Sequence, residues 1–195
     1  SPLSHVVAER LSPWWPEDRE PALIVDVCCG GGSLGLVAAE AFPRATVLLS
    51  DLDEQALSLA SENIALHGRC DRVCALRADL LSAIRGGSVD VVLANPPYVS
   101  QTEMANLPPE YSFEPRIALE ADAEGTELAV SLLREAVRVL APDGLMLLEV
   151  GETLMALEDR LPKVPLLWLE LPQGGAGVAA ISAQELRDWT AAGIL

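Results

Sequence analysis

Short, uninterrupted apolar runs alternate with amphipathic stretches along almost the whole chain, and that alternation leaves few folds open. Residues 22–27 (ALIVDV), 45–50 (ATVLLS), 71–76 (DRVCAL), 89–94 (VDVVLA) and 145–150 (LMLLEV) read as strands. Continuous apolar runs of this length mark strands covered on both faces. Between them the periodicity predicts helices from about Ser33 to Ala41, over 54–66, over 124–140 and near 152–160. The second carries Leu57, Ala60, Ile64 and Ala65 on one face, and Pro142-Asp143-Gly144 stops the third. Repeated βα units require right-handed crossovers and a parallel sheet with helices on both sides. Residues 164–171 (VPLLWLEL) and 177–182 (GVAAIS) flank a Pro- and Gly-containing turn. That spacing predicts a hairpin, so the last two strands are expected to be antiparallel. The expectation is an α/β domain with a doubly wound, seven-stranded, mostly parallel sheet and a C-terminal antiparallel hairpin. It occupies residues 1–195, with 1–20 as a short helical lead-in followed by a turn rich in Pro and Trp.

Composition excludes several function classes. Thirteen Lys and Arg stand against 29 Asp and Glu, a formal net charge of −16, in a chain that is 50% hydrophobic. Such a balance does not suit gripping a phosphate backbone or an anionic membrane, so neither nucleic acid nor membrane is expected as a partner. The apolar content excludes intrinsic disorder. No apolar run is long enough to span a bilayer. The four cysteines, Cys28, Cys29, Cys70 and Cys74, with only His5 and His67 beside them, fall short of a zinc framework. They read as reduced thiols of a cytoplasmic protein, with no metal.

Three motifs carry chemistry. Asp26-Val27-Cys28-Cys29-Gly30-Gly31-Gly32-Ser33-Leu34-Gly35 contains G-x-G-x-x-G between a predicted strand and a predicted helix, the context in which such a loop holds a nucleotide-like ligand. A tight turn without a ligand is the plainer alternative. Second, Asp51 ends the second strand about 20 residues further on, where a carboxylate commonly takes ribose hydroxyls. Asp53 precedes the next helix and reads as its N-cap. A dinucleotide would fit these two features equally well.

The third motif is Asn95-Pro96-Pro97-Tyr98, after the fourth strand. Proline has no N–H and restricts the residue before it to extended backbone. The carbonyls there are rigid, and Asn95 adds a side-chain oxygen. Two fixed acceptors match both hydrogens of a planar –NH2 group, and Tyr98 supplies an aromatic surface for a flat substrate or a cationic methyl donor. A merely stiffened loop is the alternative. Residues 95–120, dense in proline, form a long irregular stretch of the kind that usually serves function.

The glycine loop, Asp51 and NPPY, in this order, resemble the class I, Rossmann-like S-adenosylmethionine-dependent methyltransferases. NPPY resembles the signature of those acting on amide or base nitrogen. Met104-Ala105-Asn106-Leu107-Pro108-Pro109-Glu110-Tyr111, Glu114-Pro115, Ala118-Leu119 and Leu148-Glu149-Val150-Gly151 narrow the likeness to the HemK-like protein-(glutamine-N5) methyltransferases. The tail, with Trp168-Leu169-Glu170, Gly174-Gly175 and Gly177-Val178, is most similar to the branch acting on the third protein of the large ribosomal subunit. The resemblance implies methyl transfer to the side-chain nitrogen of a glutamine, with S-adenosylhomocysteine as product and a ribosomal protein or a release factor as substrate. It implies cofactor contacts at Asp26, Cys28, Cys29, Gly30, Gly31, Gly32, Asp51, Asp79, Leu80 and Asn95. Asn95, Pro96, Pro97 and Tyr98 are the implied catalytic residues, and these four with Glu114 the implied substrate contacts. Asp79 reads equally as a helix cap, and Glu114 as an organiser of its loop. Glu149 is expected to face the cleft, Trp168 to pack, and Trp14 and Trp15 to offer a docking surface. The family's N-terminal helical domain is expected to be absent. Competing readings are a nucleic-acid base amino-N methyltransferase, a dinucleotide oxidoreductase, and a cofactor-binding module inactive without a partner domain.

Overall fold

The structure, a computed structural model, describes residues 1–97, 126–171 and 176–195. Tyr98 and Glu114 lie outside the described residues. The elements run α1 (Pro2–Ala8), β1 (Leu23–Val27), α2 (Ser33–Ala41), β2 (Thr46–Asp51), α3 (Glu54–Leu66), β3 (Val73–Arg77), β4 (Val89–Ala94), α4 (Glu127–Val139), β5 (Leu140–Glu149), α5 (Leu154–Arg160), β6 (Val178–Ser182) and α6 (Ala183–Ala191). A single 3-10 turn, Gly151–Thr153, precedes α5.

Six strands form one sheet in the order β3-β2-β1-β4-β5-β6. The first five are parallel and β6 runs antiparallel to β5, with Leu145 opposite Ser182 and Glu149 opposite Val178. Side chains alternate between two cores, as the two-residue period of a strand demands. Ile24, Val47, Leu49, Val91, Leu93 and Leu147 pack on the side of α1, α2 and α3. Val25, Val27, Val92, Ala94, Met146 and Leu148 pack on the side of α4, α5 and α6. Because both faces are covered, the strands read as unbroken apolar runs. Each fully buried leucine among them contributes roughly 1.5–3 kcal/mol.

Two departures from expectation have local causes. The seventh strand shrinks to a single antiparallel bridge, Trp168 to Ala179, with the Leu169 N–H donating to the Val178 carbonyl at 2.8 Å. Pro165 cannot donate, and the Leu166 N–H turns back to Val164 at 2.9 Å instead of joining a ladder. The hairpin direction is as expected; the ladder is not formed. The fifth strand also starts earlier than expected. Leu140 pairs with Val89 directly after α4, and the register then slips before Leu145 meets Val91. Pro142-Asp143-Gly144 thus ends the helix and occupies the irregular part of a strand.

Candidate active site

β1 and β4 lie side by side although β2 and β3 separate them in the chain. The crossovers reverse direction there, and in a doubly wound sheet the crevice at the carboxyl ends of such strands receives the ligand. Four loops converge on it: those after β1, β2, β3 and β4.

The loop after β1 is shaped by glycine and locked by carboxylates. Gly32 sits at φ +79°, and a Cβ there would lie 2.5 Å from Leu49 Cδ1. At Gly35 a Cβ would lie 2.1 Å from Leu49 Cδ2 and 3.1 Å from Asp26 Oδ2, so α2 packs on β2 only with hydrogen at that position. Asp26, 1% exposed, accepts the Gly35 N–H at 2.7 Å and so satisfies an amide in the first turn of α2. Burial pushes its carboxyl up to about 7, against the opposing effect of that hydrogen bond and with help from repulsion by Asp51. Asp26 is therefore an underpinning of the loop. On the loop's other side, Asn63 Nδ2 of α3 donates to the Gly31 carbonyl at 2.9 Å. Sequence reasoning missed Asn63, because a polar residue on a helix gives no signal of what it reaches.

Asp51 ties two loops together. Its Oδ2 accepts from the Gly30 N–H at 2.9 Å and its Oδ1 from the Asp53 N–H at 3.0 Å. Each carboxylate oxygen retains capacity for a second donor. Asp53 accepts the Gln55 N–H at 2.9 Å and caps α3, as its sequence position predicts. After β3, Asp79 is exposed and Leu80 is half-buried at φ +46°. Residues 79–84 form turns rather than a helix, with the Ser82 N–H on the Asp79 carbonyl at 3.0 Å, so the helix-cap reading of Asp79 is withdrawn.

Cys28 and Cys29 line the loop but supply no nucleophile. Burial, then the charges of Asp51, Asp26 and Asp79, pushes the Cys28 thiol up to about 12. Cys29 is pushed up further, by burial first and then by Asp26 and Asp51. Asp51, Asp26 and Asp79 thus gather acidic side chains around this loop, which suits a ligand bearing positive charge.

The loop after β4 faces this charge. Asn95 follows the last paired residue, Ala94, which stands beside Val27 of β1 and Leu148 of β5. Its Oδ1 is buried and accepts no hydrogen bond from the described residues. A buried carbonyl oxygen left without a donor costs about 1–3 kcal/mol, and functional sites are where such a cost is tolerated. Pro96 is buried and Pro97 half-buried behind it, and neither offers an N–H to fill the gap.

Two residues do something other than expected. Glu149, 2% exposed, accepts from the Leu3 N–H at 3.0 Å and from the Ser1 hydroxyl. It fastens the start of α1 to the end of β5 and does not face the cleft. Trp15 is 3% exposed and stacks under Arg19, with its Nε1 donating to the Arg19 carbonyl, so it is core and not a docking surface. Trp168 is partly buried, and its Nε1 donates to Glu158 at 2.8 Å, as a packed aromatic would.

Comparison with known proteins agrees with this geometry. The family model of the methyltransferase small domain matches residues 8–107, which hold the glycine loop, Asp51 and NPPY. The chain is similar to two proteins named ribosomal protein uL3 glutamine methyltransferase. The one from Francisella tularensis is 34% identical over 95% of this chain and 59% of its own length. The one from Xanthomonas campestris is 36% identical over 95% and 60%. The chain thus spans about three fifths of the length of these relatives. Among solved structures, TrmN from Thermus thermophilus superposes with a TM-score of 0.63 at 25% identity, covering 92% of this chain and 47% of that one. Fold, loop chemistry and sequence point the same way: the chain belongs to the methyltransferase small domain family.

Proposed function

We propose that this chain is the catalytic domain of an S-adenosylmethionine-dependent protein-(glutamine-N5) methyltransferase whose substrate is a protein of the large ribosomal subunit, which places the reaction in the cytoplasm. The observation that carries the reading is the buried Asn95 Oδ1 at the carboxyl end of β4, which has no donor among the described residues. The names of the relatives support the substrate class. They favour a ribosomal protein over a release factor, and the net charge of −16 disfavours a nucleic-acid base.

The residues present fit the cofactor. The backbone from Cys28 to Gly32, resting on Asp26, would line its amino-acid end, and the free lone pairs of Asp51 would take the ribose hydroxyls. Asp79 and Leu80 would form the adenine side. The acidic side chains gathered around the loop suit a ligand carrying an ammonium and a sulfonium. When bound there, S-adenosylmethionine supplies an electrophilic methyl group.

This chain's own residues solve the remaining difficulty, the weak nucleophilicity of an amide nitrogen. Asn95 Oδ1 accepts one N–H of the glutamine side chain and the Pro96 carbonyl the other. Both bonds hold the nitrogen in one orientation and stabilise the positive charge that develops on it. Fixing nitrogen and carbon at attack distance removes much of the entropic barrier. The bound cofactor would supply its methyl group to this nitrogen, and the amide proton displaced would pass to water. No general base is required beforehand.

The test is mass spectrometry of large-subunit ribosomal proteins after incubation with the chain and S-adenosylmethionine. One added methyl group on a glutamine is expected. Methylation confined to RNA, or to release factors, would overturn the assignment. Asn95→Ala is expected to leave cofactor affinity within about threefold and to cost about 2–4 kcal/mol in transition-state stabilisation; unchanged turnover would remove its proposed role.

A further inference from the structure

The segment after β3, residues 79–88, has neither helix nor strand to hold it before β4 begins. Its internal bonds are few: Ser82 N–H to the Asp79 carbonyl and Ile84 N–H to the Leu81 carbonyl, both 3.0 Å, and the Ser88 hydroxyl to the Arg85 carbonyl at 2.9 Å. What fixes it comes from α4, on the far side of the chain's order. Glu135 Oε2 accepts the Leu81 N–H at 3.0 Å. Arg138 donates from Nη2 to the Leu81 carbonyl at 2.7 Å and from Nη1 to the Ile84 carbonyl at 2.6 Å. Arg138 also accepts the Gly87 N–H on its own backbone carbonyl at 3.0 Å. Both polar groups of Leu81 are thus held by two side chains of one helix, three residues apart and on one face.

The residue directly before this grip is Leu80, at φ +46°, with its carbonyl 3.3 Å from the Ser50 hydroxyl of β2. A leucine pays for that backbone conformation, which the turn bond from the Ser82 N–H to the Asp79 carbonyl closes. The clamp fixes where that turn sits: the Leu80–Leu81 peptide is held at its carbonyl by the Ser50 hydroxyl and at its N–H by Glu135. The charged partners suit the task, because bonds to ionised groups are stronger than neutral ones and an arginine fork spans two carbonyls at fixed spacing.

We infer that Glu135 and Arg138 are positioning residues for cofactor affinity: they set the place of Asp79 and Leu80, the adenine-side wall, without touching the ligand. This rests on the reading of the crevice as an S-adenosylmethionine site. It separates two roles within α4, whose apolar face builds the core while Glu135 and Arg138 shape a wall that lies beyond it.

Isothermal titration of the 195-residue chain with S-adenosylhomocysteine tests this, with no turnover needed. Arg138→Ala and Glu135→Ala should each weaken binding at least tenfold. Arg138→Lys, which keeps the charge and loses the fork, should recover only part. Glu135→Gln, which keeps an acceptor for the Leu81 N–H, should recover most. Arg187→Ala is the control: it too removes a guanidinium from a backbone carbonyl, that of Pro142 at 2.6 Å, but away from the crevice, and should bind as the parent does. In turnover the clamp variants should raise KM for S-adenosylmethionine and leave kcat within twofold. Unchanged affinity in Arg138→Ala, or equal loss in Arg187→Ala, overturns the clamp. Failure of the parent chain to bind S-adenosylhomocysteine overturns instead the reading of the site on which the clamp rests.

Discussion

Replacing Asp26 by asparagine is expected to flatten the pH dependence of stability between about pH 4 and pH 7. The carboxyl normally titrates near 3.8 and is pushed up to about 7 by burial. At about 1.4 kcal/mol per pH unit, ionising it in place costs the fold up to about 4 kcal/mol. The sign follows from proton counting. Between pH 4 and 7 the folded chain holds a proton on Asp26 that the unfolded chain has released. Stability from this group is therefore greatest below pH 4, falls as pH rises, and levels off above 7. Asparagine keeps an oxygen for the Gly35 N–H, which Asp26 accepts at 2.7 Å. Its new NH2 group adds a cost of about 1–3 kcal/mol if unpaired, but that cost is the same at every pH. Urea unfolding at pH 5 and pH 8 separates the two: the parent should lose about 2–4 kcal/mol more than the variant across this interval. Parallel curves for the two proteins would refute the buried-acid account of Asp26.

Asp51→Ala removes the acceptor shared by Gly30 and Asp53 together with the proposed ribose contact. Titration with S-adenosylhomocysteine should show affinity lowered by about 10–100-fold, the worth of bonds to a charged group; an unaltered isotherm would contradict the assignment. Gly35→Ala forces a methyl to 2.1 Å from Leu49 Cδ2 and should lower unfolding stability by about 1–3 kcal/mol, and a variant as stable as the parent would show that α2 can shift freely. Under iodoacetamide at neutral pH, exposed Cys70 and Cys74 should be labelled while Cys28 and Cys29, held protonated by burial and nearby carboxylates, stay intact. Early labelling of Cys28, followed by peptide mapping, would contradict the protection of its thiol by burial and nearby carboxylates.

Most of the sheet was legible because its signal is local. Runs such as ALIVDV need both faces covered, and the glycines of the first loop mark a turn between strand and helix, although only the structure shows Leu49 of β2 packed against Gly32 and Gly35. Asp53 was readable for the same reason, since a cap and its amide are two residues apart. What escaped depends on distant partners. Nothing near Glu149 in sequence says that it will meet Leu3, 146 residues away, and its place at a strand end suggested the cleft instead. Asn63 looked like any solvated helix residue until Gly31 appeared beside it. The seventh strand was overestimated because VPLLWLEL has the composition of a strand, while the one proline that spoils its ladder is visible only when hydrogen bonds are traced.

The placing of β4 between β1 and β5 has a consequence for how this protein acquires its activity. The loops after β1, β2 and β3 precede β4 in the chain, and the Asn95 oxygen proposed to hold the substrate amide joins them only when β4 slots into the middle of the sheet. No contiguous fragment ending before residue 94 assembles both halves of the crevice. A ligand that binds only the assembled crevice stabilises the whole fold by mass action, so a mutation that loosens β4 should lower affinity and unfolding stability together.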